Sequence, residues 1–190
     1  MKKLMTLCLL CLTGYMNAQV TTVVSGFTQN LTKSDLPFQG DRKMFATGIN
    51  DKLTENVLVV SKNKSGASND ELFIEKFTKT NAGYTKSFST LFSHPVNKSL
   101  AFVNNRMMYS DADEDGHAEM LFVVDENEAG PESPLQKVWG VIIYKNEAYK
   151  LWATAEDNFT ETKYDTNFSQ LPEKIKNDFL AFWNKLDKAN

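Results

Sequence analysis

The chain has 190 residues, 42% of them hydrophobic and 12% aromatic, with a formal net charge of −3. That length accommodates one domain or at most two small ones, and the apolar fraction supports a core, which excludes a wholly disordered chain. The acidic balance, with a pI near 5.5, excludes a general nucleic-acid binder, which presents a basic face to phosphates.

Residues 1–18 read as a secretory signal peptide. Lys2 and Lys3 supply the positive start, Leu4 to Leu12 the short apolar run, and Ala18 the small residue before a cut. The run is shorter than the roughly 20 apolar residues a membrane-spanning helix needs. Both cysteines, Cys8 and Cys11, fall inside this leader, and Leu9-Leu10 ahead of Cys11 does not suit a lipoprotein cysteine. Cleavage after Ala18 leaves residues 19–190, which are 172 of the 190. With Lys2 and Lys3 gone, 19 cationic side chains face 24 acidic ones, a net charge of −5. The mature chain then has no cysteine, so disulfides, thiolate catalysis and cysteine-based zinc sites are all excluded. The expected location is exported: periplasmic, cell-surface or secreted.

Alternation of Val, Ile, Phe and Tyr with polar residues predicts strands through the middle of the chain. They fall at 43–47, 56–61, 71–78, 84–90, 100–103, 106–109, 120–125, 138–144 and 148–153. Asn81-Ala82-Gly83 and Lys145-Asn146-Glu147 are short links that predict two hairpins. Loops are expected at Ser65–Asp70 and Ala129–Pro134. At the end, Leu171, Ile175, Phe179, Phe182 and Leu186 recur at helical spacing, which predicts one helix over about 172–187 with an apolar face for a sheet. Pro172 and Glu173 suit its start, and Lys185 and Lys188 its end.

The chain also aligns with itself at an offset of 64. Met44-Phe45-Ala46-Thr47 matches Met108-Tyr109-Ser110-Asp111, Asp51 falls on Asp115, Glu55 on Glu119, and Val57–Val60 on Leu121–Val124. The expected fold is mainly β: antiparallel meander sheets from two degenerate repeats, propeller-blade-like or a sandwich, with one C-terminal helix. The repeat units run from about 43–92 and 106–155 within a single β-rich domain over 19–190.

The most specific local signal is Asp111-Ala112-Asp113-Glu114-Asp115-Gly116-His117-Ala118-Glu119. Carboxylates at positions 1, 3, 5 and 9 can converge on one hard cation, the glycine permits a sharp turn, and position 7 offers a backbone carbonyl. The candidate metal ligands are therefore Asp111, Asp113, Asp115 and Glu119 by side chain and His117 by its carbonyl, with Ca²⁺ the cation that suits flexible all-oxygen coordination. The plainer alternative is a solvated acidic hairpin that binds nothing. An EF-hand would need Glu at position 12, where Phe122 stands, and helices rather than strands around the loop. In the first repeat only Asp51 and Glu55 remain of the pattern, so no metal is expected there.

Strand-flanked Asp-x-Asp-x-Asp-Gly-x-x-Asp/Glu resembles the calcium loops of integrin-type FG-GAP and bacterial VCBS repeats. The order Asp51-Lys52-Leu53-Thr54-Glu55-Asn56, then the acidic loop, then Gly130–Pro134, then Phe179–Trp183 resembles small exported bacterial proteins labelled surface-polysaccharide biosynthesis proteins. The resemblance implies an envelope location, with envelope polysaccharide or a cell-surface protein as partner, and implies no reaction. Other chemistry is poorly supported. His94 lies in Ser93-His94-Pro95, which reads as a loop, and no nucleophile elbow, Walker A or His-Glu-x-x-His pattern occurs. Trp139, Trp152 and Trp183 read as core rather than as a sugar-stacking face. The expected function is thus a non-catalytic, calcium-stabilised accessory or binding module. The alternative is an envelope polysaccharide-acting enzyme using a carboxylate pair.

Overall fold

Two apolar runs, Val57–Val60 and Leu121–Val124, are continuous rather than alternating, the pattern of strands covered on both faces. A computed structural model, which describes residues 25–28, 31–95, 98–130 and 132–189, places each run at the centre of its own sheet. The leader and both cysteines lie outside the described residues.

The first sheet contains β1 (Ser25–Thr28), β2 (Arg42–Asn50), β3 (Glu55–Lys62), β4 (Asn69–Thr80) and β5 (Gly83–Pro95). The second contains β6 (Ser99–Ser110), β7 (Glu119–Asn127), β8 (Leu135–Tyr144), β9 (Glu147–Thr154) and β10 (Lys163–Tyr164). Within each sheet every strand lies beside its sequence neighbour, and all pairs are antiparallel. Short 3₁₀ turns at Ala155–Asp157 and Thr166–Gln170 lead to α1 (Glu173–Trp183). The mainly β, two-meander architecture with one C-terminal helix follows the sequence pattern. The helix is shorter than expected, and Pro172 caps it from outside instead of occupying its first turn.

The two sheets face each other, so the arrangement is a sandwich and not a pair of propeller blades. Leu58, Val60, Leu72, Ile74 and Phe88 of the first sheet share one core with Met120, Phe122, Val124, Val141 and Ile143 of the second. Side chains of alternate parity point outward and are covered in turn. Leu36 and Phe38, ahead of β2, cover Val57, Val59 and Phe77. The helix residues Ile175, Phe179 and Trp183 cover Leu121, Val123, Ile142 and Leu151. Four layers result, which is why β3 and β7 read as unbroken apolar runs.

Strand pairing corrects the alignment of the repeat. The closing pair of the β4–β5 turn is Thr80 with Gly83 and that of the β8–β9 turn is Tyr144 with Glu147, so the offset of 64 holds there. It also holds from Glu55 to Glu119, which begin β3 and β7. Ahead of the loop it fails, because Asn50 closes on Glu55 whereas Ser110 closes on Glu119, an offset of 60. Thr47, the partner of Leu58, therefore corresponds to Met107, the partner of Phe122. Asp51 corresponds to Asp111 and not to Asp115. The second repeat carries four extra residues in this connection, and they create the acidic loop. The segments expected at 100–103 and 106–109 are one strand, β6, with residues 103–106 bulged between Phe102 and Met107.

The three tryptophans differ. Trp183 is fully buried under the helix. Trp139 and Trp152 are half-buried cross-strand partners whose ring centroids lie 5.2 Å apart, tilted by 46°.

Candidate metal centre

The loop between β6 and β7 is shaped by its own carboxylates. Asp111 Oδ1 accepts the Gly116 N–H at 3.2 Å, Asp113 Oδ1 that of Asp115 at 3.3 Å, and Asp115 Oδ1 that of His117 at 2.9 Å. Glu119, 1% exposed, accepts the Ala112 N–H at 2.8 Å across the neck of the loop. Gly116 turns the chain at φ +90°, where a side chain is strained, and a Cβ there would also meet Leu53 at 3.2 Å. One carboxylate oxygen from each of Asp111, Asp113, Asp115 and Glu119 lies within 4.8 Å of the others. The four side-chain positions predicted to converge are thus brought together and could hold a metal ion. The His117 imidazole is not among them; its Nδ1 lies 3.8 Å from Asp51 Oδ2.

The surroundings contain residues that spacing could not identify. Asp51, in the equivalent loop of the first repeat, accepts the N–H groups of Leu53 and Thr54 through Oδ1 and that of Ala118 through Oδ2. The hairpin of the first repeat therefore braces the acidic one. On the other side Tyr144 donates its hydroxyl to Asp113 Oδ2 at 3.0 Å, and Lys145 Nζ stands 3.3 Å from Asp115 Oδ2 and 4.0 Å from Asp113 Oδ2. Lys174 of α1 reaches Glu114 at 2.7 Å. The only sequence signal for Tyr144 and Lys145 is their place in the β8–β9 turn, and nothing in that turn points to residues 113 and 115.

Electrostatics in the loop follow from this crowding. Burial, with added repulsion from Asp113, Asp111 and Asp115, pushes the Glu119 carboxyl up to about 8. Burial also opposes ionisation of Asp115, but the His117 N–H and the Lys145 ammonium outweigh it and bring that group below its usual range. The Tyr144 hydroxyl and the Asp115 carboxylate hold the Lys145 ammonium above the usual lysine range.

A pH dependence follows for the chelated protein. A carboxyl raised on folding stabilises fully below its unfolded value of about 4.5, and that stability is lost as pH rises towards 8. In chelator, urea unfolding should show the Glu119 contribution falling between pH 5 and about 8, as the buried proton is lost. Glu119→Gln should flatten that segment; an unchanged slope in the variant would contradict the assignment.

A second polar centre joins the sheets. Glu126, 1% exposed on β7, receives His94 Nε2 at 3.2 Å, Lys98 Nζ at 2.7 Å and Trp139 Nε1 at 3.1 Å. His94 belongs to β5 and not to a loop. Burial disfavours the Glu126 charge, but Lys98, Trp139 and His94 more than compensate and keep the carboxyl below its usual range. This is the pattern of a satisfied buried charge tying two layers together.

Among the described residues no helix is long and apolar enough to cross a membrane. Comparison of the chain with protein-family models, with curated proteins and with solved structures gives no match.

Proposed function

We propose that the loop Asp111–Glu119 binds one Ca²⁺, and that the protein is an exported, non-catalytic, calcium-stabilised β domain acting as a binding or accessory module at the cell envelope. The observation that carries the metal reading is the span of the four carboxylate oxygens, all within 4.8 Å. Calcium–oxygen bonds of 2.3–2.6 Å place opposed ligands roughly 5 Å apart, so the cluster suits this ion without rebuilding. Mg²⁺ prefers a tighter octahedron and retains its waters. The His117 carbonyl adds a further ligand in this reading.

Two features support a structural role for the ion. Both flanking strands end in the sandwich core, so the loop closes a hairpin of the fold. A cation surrounded by four carboxylates also keeps few positions for a substrate. The leader-like first 18 residues and the resemblance to surface-polysaccharide proteins support the envelope location, with polysaccharide or a cell-surface protein as partner. Recovery of the protein from the cytoplasmic fraction of its native cells would contradict that part.

Tyr144 supplies the test for the metal. Its phenol, bonded to Asp113, is close enough to sensitise Tb³⁺ in the loop, and Ca²⁺ should displace that emission in a saturable way. Asp113→Ala, which removes the ligating oxygens, should abolish the displaceable signal. Lys145→Met removes a competing cation from an exposed position and should tighten Ca²⁺ binding about two- to fivefold. Terbium emission insensitive to Ca²⁺, or unchanged in Asp113→Ala, would reject the site.

A further inference from the structure

At the opposite end of β6 from the acidic loop, a cavity of about 410 Å³ opens between the two sheets. One wall is β2, the end of β3 and the connection that follows; the other is the start of β6 with Ala129 and Gly130. The volume is that of a site for a ring-sized ligand. Its charge is opposite to that of the protein. Arg42, Lys62, Lys64 and Lys98 line it, the last already paired with Glu126 at 2.7 Å, and among the described residues Asp70 is its one acidic lining residue.

That acid is already engaged. Asp70 Oδ2 accepts Lys62 Nζ at 2.7 Å and the Leu100 N–H at 2.7 Å, while the Leu100 carbonyl accepts Lys62 Nζ at 2.7 Å. Lys62, only 8% exposed, thus has two of its three protons directed to acceptors of the wall. Arg42 is anchored through Nε to the Asn63 carbonyl at 3.0 Å, which leaves the terminal nitrogens of its fork without a bond among the described residues. The Lys64 side chain forms no ion pair or hydrogen bond among them. Beside these donors stand apolar groups, the half-buried Phe102 and Met44, which is 53% exposed.

Cationic donors converging on a concave site in an acidic protein focus the field on an anion. An arginine fork with lysines beside it suits carboxylate or phosphate oxygens. We propose that this cavity binds a small oxyanion-bearing ligand, a carboxylate or phosphate on a ring-sized scaffold, with the oxyanion at Arg42 and Lys64 and the ring against Met44 and Phe102. The proposal does not depend on metal in the acidic loop.

The test is a ¹H–¹⁵N titration of the protein in calcium-containing buffer with glucuronate, glucose 6-phosphate and glucose. Saturable shifts at Lys64, Gly66 and Ala101 are expected with one or both acids and not with glucose. A response to glucuronate alone assigns a carboxylate, and a response to glucose 6-phosphate alone a phosphate. Arg42→Gln with Lys64→Gln, both at exposed positions, should weaken binding roughly tenfold or more, and Lys64→Gln alone by less. The proposal is overturned by equal shifts with glucose, by shifts confined to Asp111–Glu119, or by unchanged affinity in the double variant. It is equally overturned if neither acid saturates at about 50 mM, some fiftyfold above a millimolar Kd.

Discussion

Addition of 10 mM Ca²⁺ to the chelated protein should raise the melting temperature by about 3–10 °C. The magnitude comes from mass action. Extracellular calcium loops bind at about 10⁻⁴–10⁻³ M, so the ion is then at roughly 10 to 100 times Kd and adds about 1.4–2.7 kcal/mol. For a domain of this size each kcal/mol shifts the midpoint by about 2–4 °C. Asp113→Ala should abolish the calcium-dependent increment. Because Asp113 also accepts the Asp115 N–H and the Tyr144 hydroxyl, the variant will start from a lower midpoint. The informative quantity is therefore the increment and not the absolute temperature. The increment should also be larger at pH 8 than at pH 5, since Ca²⁺ must displace the proton that Glu119 retains in the metal-free loop. Superimposable curves with calcium and chelator would show that the carboxylates form only a solvated hairpin, neutralised in part by Lys145.

Trp183→Ala should destabilise the fold by about 3–5 kcal/mol, a fall of roughly 6–20 °C in midpoint. The indole is fully buried and joins Ile175 and Phe179 against Leu121, Val123 and Leu151. Its Nε1 donates to Thr162 Oγ1 at 3.0 Å, so truncation removes a partly buried hydrogen bond together with the ring. The ring also lies where no neighbour could grow: a Cβ on Gly140 would stand 3.0 Å from Trp183 Cζ3 and 2.8 Å from Leu151 Cδ2. The ring thus approaches the sheet because β8 has no side chain at that point, and the vacated space cannot be filled by a small shift. Phe182→Ala, one residue earlier and half-buried, is the control and should cost clearly less. A loss below about 1 kcal/mol for Trp183→Ala would mean that the helix is not part of the cooperative core.

The arrangement of layers explains which parts of the fold were readable. Val57–Val60 and Leu121–Val124 show as apolar runs because each strand is covered on both faces, by the opposite sheet and by an outer layer. The helix face was visible as Leu171, Ile175 and Phe179, but its period also includes Trp183, which carries more burial than Phe182 or Leu186. The two-residue β10 and the 3₁₀ turns leave too short a period to detect. In the site, the Asp-x-Asp-x-Asp-Gly-x-x-Glu spacing located all four convergent carboxylates, because their geometry is set within nine consecutive residues.

Composition and local spacing by themselves determined a mainly β chain, two related meanders, one terminal helix and the acidic loop, since strand alternation, helical period and turn chemistry each act over a few residues. Everything that depends on pairing across the chain was decided by tertiary structure. The constant offset of 64 could not reveal that the loop-proximal ends of β2 and β6 correspond at 60, because register is specified by which side chains share a core and not by likeness along the sequence. The same holds for Asp51 bracing Ala118, for Lys145 and Tyr144 closing on the acidic loop, and for Arg42, Lys62, Lys64 and Lys98 converging on one cavity. Lysines scattered through an acidic chain read as surface, and only the facing of two sheets gathers four cations around one opening.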